Sequence, residues 1–332
     1  MHEGTELLVL SGADIRALVS TAECIELIDN AMRTVSSGGA ILPLRSWVKI
    51  PGTANLVGWM PGFLDSPPRV GVKLIGIFPE NPHRGLPSHC GTVTLFDPEL
   101  GLPRAILDAA TITSMRTAAA SAVATRALAR KGSGDLAVLG TGEQAEAHLH
   151  ALAAICQLRR VRLWGRDGAK ARRLAQRLQG QLARDIEVAA DVRQAVEGAD
   201  IVCTVTAARE PILRGEWIAP GTHVNLVGAS VVEAREADEA LVLRSAYFVD
   251  YRPSAAAQAG ELHAAVGAEG ARAGQHVRGE IGEVLSGRVG GRANADEVTV
   301  YKSLGIAAQD LALAAAAHER ARASGRGTRA PL

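Results

Sequence analysis

Residues 134–158 constrain this chain more than any other stretch. An apolar run at 136–139 reads as a short buried strand. It ends in Gly140-Thr-Gly142-Glu-Gln-Ala145 and passes straight into a segment of helical periodicity. Gly140 permits the tight turn, Gly142 lets a pyrophosphate approach the backbone, and Ala145 is small enough for the new helix to pack closely on its strand. The unpaired N–H groups and positive dipole end of that helix then face the phosphates, with Thr141, Glu143 and Gln144 in the same turn. A bare glycine pattern is weak, but Val161-Arg-Leu-Trp164 follows at the distance of a second parallel strand. The expectation is an α/β chain with a Rossmann dinucleotide-binding domain.

At 332 residues the chain suits two domains. Its formal charge of +1 gives no reason to expect a nucleic-acid partner, which needs a concentrated basic surface. The opening Met1-His-Glu-Gly-Thr-Glu has neither a basic nor an apolar leader region, and no run is long enough to span a bilayer. Cys24, Cys90, Cys156 and Cys203 are scattered without metal-site spacing, so free buried thiols, no metal and a cytoplasmic setting are expected.

Around the glycine turn the texture changes twice. Residues 12–36 read as one helix, opened near Ser11 or Asp14 and closed by Gly38-Gly39. From 41 to 96 the chain turns to β-like runs broken by Pro and Gly (47–50, 55–57, 70–75 and 92–96), then a turn at 97–101 and a strand at 103–107. These predict an antiparallel β-rich unit. A long alanine-rich helix at 111–131 leads into the Rossmann strand. Beyond the glycine turn, strands at 186–188, 201–205 and 224–227 alternate with helices at 169–178 and 192–197, and 247–250 reads as the last strand. Residues 255–273 are helical in places, 305–322 form a closing helix, and the tail from Ala323 reads as frayed.

Three cations stand among apolar neighbours: Arg45 after Leu42-Pro-Leu, Lys73 inside an apolar strand, and Arg116 in a small-residue helix. Burying a cation costs several kcal/mol, on the order of a lost ion pair, unless it meets an anion. The three suggest a carboxylate clamp; the alternative is that each snorkels to water. His89 in Pro87-Ser-His-Cys is a candidate proton donor or simply structural. His148 and His150 point to different helix faces, which disfavours a metal pair. Thr204 and Thr206 lie where a strand ends, the usual rim for a dinucleotide, and Ser230 lies just past the next strand end. Ordinary turn chemistry is the alternative at both places. Arg320, Arg322, Arg326 and Arg329 read as a solvated surface.

Several stretches together resemble the ornithine cyclodeaminase/mu-crystallin family: Lys73-Leu-Ile with Pro87-Ser-His, Thr113-Ser-Met-Arg-Thr-Ala-Ala119, the glycine turn, Glu210-Pro-Ile-Leu-Arg-Gly-Glu-Trp217, Val224-Asn-Leu-Val-Gly-Ala-Ser230, Gly279-Glu-Ile-Gly-Glu-Val-Leu-Ser-Gly287 and Thr299-Val-Tyr-Lys-Ser-Leu-Gly305. The resemblance runs from about Arg45 to Asp310. It implies a discontinuous substrate and dimerisation domain (1–118 with 305–332) around a Rossmann domain (119–304), and a homodimer built through the β-rich part. It assigns the clamp to Arg45, Lys73 and Arg116, adds Ser88 and Trp59 to the substrate site, and gives Lys73, Arg116, Ser230 and His89 catalytic roles. It adds Thr117, Val205, Thr206, Val227, Gly228, Ser303 and Gly305 to the cofactor site. Ornithine cyclodeaminases carry an aspartate at the position of Ser230 and an acidic residue just before the Met-Pro pair, where this chain has Gly58-Trp59. Losing both carboxylates points to the ketimine reductases and Δ1-pyrroline-2-carboxylate reductases of the family.

The expected activity is therefore NAD(P)H-dependent reduction of cyclic ketimine carboxylates to proline or pipecolate. The alternatives are an ornithine cyclodeaminase, an alanine-type amino-acid dehydrogenase, or a non-catalytic cofactor binder. About 20 residues past the glycine turn, where an NAD-selective site carries an acid on the ribose, the chain reads Trp164-Gly165-Arg166-Asp167. Gly165 leaves room for a 2′-phosphate and Arg166 supplies a charged fork, while Asp167 is expected to turn outward and cap the next helix. NADPH is the expected cofactor, with NADH the alternative.

Overall fold

Alternation of buried and exposed side chains sets the first sheet. In the computed structural model, which describes residues 6–182 and 184–331, the chain opens with β1 (Glu6–Leu10), an apolar run that the sequence reading passed over. Residues 1–5, the head of the opening stretch read above, lie outside the described residues. Two helices follow, not one: α1 (Gly12–Leu18) and α2 (Thr21–Ser36). The break is written in two capping boxes, Ser11 with Asp14 and Ser20 with Glu23, because the second serine takes the N–H of Glu23 and returns its own to the glutamate. Then β2 (Ala40–Ile41), β3 (Ser46–Lys49), β4 (Leu56–Asp65), β5 (Pro68–Ile77), β6 (His89–Phe96) and β7 (Pro103–Asp108) run as an antiparallel meander. In β4, Gly58, Met60, Gly62 and Leu64 are buried while Val57 and Trp59 are exposed. The helix α3 (Ala109–Leu128) comes next.

The second unit is a doubly wound sheet of parallel strands. The glycine turn joins β8 (Asp135–Leu139) to α4 (Glu143–Ile155), and β9 (Arg160–Trp164), α5 (Gly168–Arg177), β10 (Ile186–Val188), α6 (Val192–Val196), β11 (Ile201–Thr204), β12 (His223–Leu226), α7 (Glu239–Leu243) and β13 (Ala246–Val249) follow. β13 is not the last strand. After α8 (Arg252–Gln258) and α9 (Gly260–Arg272) come β14 (Val277–Glu280), α10 (Ile281–Leu285) and β15 (Thr299–Lys302). Charged residues inside β14 and β15 hid both from a pattern search for apolar runs. The strand order is β10-β9-β8-β11-β12-β15-β13-β14, so it reverses between β8 and β11, where a doubly wound sheet opens its ligand crevice.

The chain closes with α11 (Ala307–Ser324) and β16 (Thr328–Pro331). The tail is thus a strand and not frayed: β16 pairs antiparallel with β1, and β1 pairs parallel with β7. The Arg-rich tail is also more than a solvated surface, since Arg320 donates to the Leu18 carbonyl at 2.8 Å and Arg329 to Glu6 at 2.6 Å. By internal contacts the chain divides into Met1–Arg116 with Ile306–Leu332, and Thr117–Gly305. Within the first, α11 lies across β4, β5 and β6. Gly62 and Gly71 sit directly opposite each other in register. A Cβ on Gly62 would stand 2.8 Å from the Ala307 Cβ, and one on Gly71 would stand 2.6 Å from Leu311 Cδ2. The glycine pair therefore lets the helix sit tightly on the sheet.

Candidate functional site

Close approach of α11 brings two of the predicted cations onto one carboxylate. Lys73, 3% exposed on the inner face of β5, places Nζ 3.2 Å from Asp310 Oδ1. Arg116 on α3 places Nε 3.0 Å from the same oxygen and donates through Nη1 to Gln309 Oε1 at 2.9 Å. Asp310 Oδ2 and Gln309 Nε2 are buried with no hydrogen-bond partner. Burial pulls the Lys73 ammonium down to about 8, opposed by Asp310 and reinforced by the charges of Arg116 and Arg45. Arg45, just before β3, is therefore within electrostatic reach of the cluster. Neither Lys73 nor Arg116 snorkels to water. Asp310 and Gln309 escaped the sequence reading, although an acid amid the alanines of the closing helix was the available signal.

The other predicted substrate residues are placed differently. Ser88 Oγ lies 2.9 Å from His89 Nδ1 at the start of β6. Desolvation, then the charge of Lys73, hold the His89 ring below its usual value, so it is neutral near pH 7. Trp59 is not brought to the cluster. Met60 pairs with Lys73 and Trp59 with Leu74, so strand alternation sends Trp59 to the opposite face of the sheet.

In the second unit the glycine turn has the expected form. Gly140 has φ 136°, and a Cβ there would meet the Val205 carbonyl oxygen at 2.6 Å. Gly142 is the N-cap of α4 with no side-chain cap, and a Cβ on it would meet nothing within 4 Å. No side chain caps the first turn of α4, the place where a phosphate would sit. Thr117 Oγ1 and Ser303 Oγ are buried without a hydrogen-bond partner. An uncapped helix start, open space above it and two orphaned hydroxyls fit a dinucleotide. Asp167 does cap α5, accepting from Ala169 N at 2.9 Å and Lys170 N at 3.2 Å. Gly165 has a second reason to be glycine, since a Cβ there would stand 2.4 Å from the Thr141 methyl.

The rim is held by a residue the sequence reading missed. Glu236, fully buried, accepts from Thr204 Oγ1 at 2.7 Å and Gly228 N at 2.6 Å on one oxygen. Its other oxygen accepts from Thr206 N and Thr206 Oγ1, each at 2.7 Å. Burial raises its pKa, against the pull of Lys302 and of these donors. The two threonine hydroxyls and the N–H groups of Thr206 and Gly228 are thereby spent on Glu236, which ties the ends of β11 and β12 together. Val205 and Val227 are 9% exposed, and Ser230 lies just beyond, half-buried. The Lys302 ammonium pairs with Glu261 at 2.9 Å, both side chains wholly buried. Asp250 Oδ2 accepts from Leu304 N at 2.8 Å and Gly305 N at 2.7 Å, which fixes the loop after β15.

The family model described as the ornithine cyclodeaminase/mu-crystallin family matches residues 5–325. The chain belongs to that family. It is 37% identical over 277 residues to the ketimine reductase mu-crystallin of Mus musculus, covering 83% of this chain and 84% of that protein. The Δ1-pyrroline-2-carboxylate reductase of Thermococcus litoralis, solved with NADH and L-proline, superposes with a TM-score of 0.92 at 34% identity, covering 97% of this chain and 99% of the other. An archaeal alanine dehydrogenase dimer with bound NAD gives a TM-score of 0.90 at 28% identity, covering 98% and 99%. These family members are oxidoreductases acting on C–N bonds, and the two solved ones hold NAD(H).

Proposed function

We propose that the chain is an NAD(P)H-dependent reductase of cyclic ketimine carboxylates, giving proline from Δ1-pyrroline-2-carboxylate or pipecolate from Δ1-piperideine-2-carboxylate. The observation that carries this reading is the buried surplus of cations, in which Lys73 and Arg116 share one carboxylate oxygen of Asp310 while Arg45 adds its charge. A surplus of positive charge welcomes a substrate carboxylate and repels a second ammonium such as the δ-amine of ornithine. Ser230 in place of an aspartate acts in the same direction.

Thr117, the glycine turn, Thr206, Gly228 and Ser303 would hold the cofactor, which supplies a hydride when bound. Arg116 and Lys73 bind the substrate carboxylate and so fix the imine carbon in place. Lys73, drawn down to about 8 by burial, still carries its proton near pH 7 and is the better donor to the imine nitrogen. His89, neutral there, is the poorer one. The C=N π bond is replaced by one C–H and one N–H bond, and the neutral lysine regains a proton from water. NADPH is preferred in this reading because Arg166 is exposed beside Gly165 while Asp167 is spent on its helix.

The protein works as a homodimer through the outward face of the first sheet, where Val48, Val57, Trp59 and Leu74 are exposed and adjacent in register. Four free cysteines support a cytoplasmic setting. Among the described residues no helix is long and apolar enough to cross a membrane. Leu74→Asp should convert a sedimenting dimer into monomer, and a dimer that persists would place the interface elsewhere. For the activity, purified protein should oxidise NADPH or NADH with Δ1-pyrroline-2-carboxylate or its six-membered homologue and release little ammonia from ornithine. Efficient conversion of ornithine to proline without imine reduction would overturn the reading.

A further inference from the structure

A cavity of about 400 Å³ lies in the second unit between the connections that lead into β8, β9 and β10, at the amino ends of these strands. The glycine turn, Thr206 and Ser303 all stand at the carboxyl ends, so this cavity is separate from the dinucleotide crevice. Its wall contains Arg126, Arg130, Lys131, Arg159 and Arg184 and no carboxylate. Asp200, outside the wall, is shared by two of the five: Oδ1 accepts from Arg130 Nη2 at 2.7 Å and Oδ2 from Arg159 Nη2 at 2.6 Å, while Arg159 Nε also lies 3.5 Å from Asp135 Oδ1. Asp200 Oδ2 also takes the N–H groups of Gly134 and Asp135, at 3.0 and 3.1 Å, so its accepting capacity is used. The charge of Arg130 reaches further, to the half-buried Arg292, whose pKa is lowered by burial and then by Arg130.

Five cations line one concavity while Asp135 and Asp200 are the carboxylates paired with Arg130 and Arg159, and an anion in the concavity lowers the repulsion among the cations. A second observation points the same way. Ser133, 9% exposed, lines the cavity, and its Oγ is buried without a hydrogen-bond partner. A buried hydroxyl left unpaired is costly, and an anion oxygen would accept its proton. Guanidinium forks match phosphate oxygens in pairs, and the volume admits a phosphate monoester with a short carbon skeleton. We infer that this cavity is a second anion site, built to hold a phosphate group at the amino ends of β8–β10.

Calorimetric titration of the full-length protein with inorganic phosphate, at ionic strength fixed by chloride, tests the site. Binding should saturate, and should persist when NADH and L-proline are present in excess. Exposed residues allow gentle variants: Lys131→Gln combined with Arg184→Gln should weaken phosphate at least tenfold while leaving the melting temperature in chloride unchanged. Ser133→Ala should weaken it a few-fold. Glycerol 3-phosphate is titrated in parallel; tighter binding than phosphate assigns the site to a phosphate ester, and equal binding assigns it to the free anion. No saturable binding, affinity untouched by the double variant, or binding abolished by NADH would each overturn the inference. The last would place the phosphate at the glycine turn. Imine reduction plays no part in the readout, so loss of the catalytic reading would leave this one standing.

Discussion

Asp310→Asn tests whether the cation cluster of the first unit is a ligand site or a structural ion pair. The substitution keeps the shape of the side chain and removes its charge. Lys73 and Arg116 lie 3.2 and 3.0 Å from one Asp310 oxygen and are 3% and 6% exposed, so water cannot replace the lost anion. Breaking a buried pair in this way costs about 3–5 kcal/mol. At roughly 2–4 °C per kcal/mol for a unit of this size, the melting temperature should fall by about 10 °C. A bound carboxylate then supplies the missing charge. Saturating ligand at 100 times its Kd stabilises any folded protein by about 2.7 kcal/mol, and tighter binding adds to that. The rise in melting temperature produced by a fixed concentration of L-proline should therefore be larger in the variant than in the wild type. Differential scanning calorimetry with and without L-proline measures both quantities. A variant as stable as the wild type would mean that the lysine is held neutral. A destabilised variant with the same or a smaller response to L-proline would make the cluster scaffold, and the clamp would be wrong.

With Lys73 at about 8 instead of the usual 10.5, kcat/KM for imine reduction should fall about tenfold per pH unit above pH 8 as the donor loses its proton; a profile flat to pH 10 would exclude Lys73 as the acid. The same shift has a stability sign: between pH 8 and 10.5 the unfolded lysine holds a proton that the folded one has lost, so this group's contribution to stability rises with pH across that window. Glu236→Gln turns one of the two accepting oxygens into a donor facing donors, and should weaken NADH binding, read by its fluorescence, about tenfold or more, while Glu236→Asp should restore part of it. Arg166→Ala should lower the NADPH-to-NADH preference about tenfold, and an unchanged ratio would remove Arg166 from cofactor choice.

The parts of the fold that were legible in the sequence are those where one residue type does one job. Gly140, Gly142 and Ala145 announced a strand–turn–helix by their spacing, and the structure shows why Gly140 is glycine, since a Cβ there would strike the Val205 carbonyl. Lys73 and Arg116 stood out because a cation in an apolar run has few cheap explanations. The misses come from the opposite situation. β15, Thr-Val-Tyr-Lys, contains a lysine that is wholly buried only because Glu261, distant in sequence, neutralises it. β1 and β16 form because they find each other across the whole length of the chain, which no local window contains. The break between α1 and α2 was readable, since Ser20 and Glu23 repeat the spacing of Ser11 and Asp14, but a continuous helical period masked it. Trp59 entered the substrate site only through the family resemblance, and the two-residue period of β4 sends it to the face opposite Lys73.

Buried charge occurs in both units, and the way it is satisfied separates scaffold from site. Around Glu236 the carboxylate itself is satisfied from within. Four N–H and O–H donors surround its carboxylate, its own N–H goes to Glu261 at 3.0 Å, and Glu261 in turn holds Lys302. The consequence is rigidity: the ends of β11 and β12 are tied to one point. Around Asp310 the account does not close. Two buried cations draw on a single oxygen, a third cation presses on the lysine, and Asp310 Oδ2 and Gln309 Nε2 are left without partners. Folding alone has no reason to leave both surplus charge and unused hydrogen-bonding atoms in one buried place, since each is costly. A small carboxylate carrying a ring nitrogen answers both demands, with its anion for the cations and its nitrogen for a neighbouring polar atom. In the function proposed above, the unsatisfied cluster is where substrate enters, and the Glu236 carboxylate holds the strand ends of the cofactor rim.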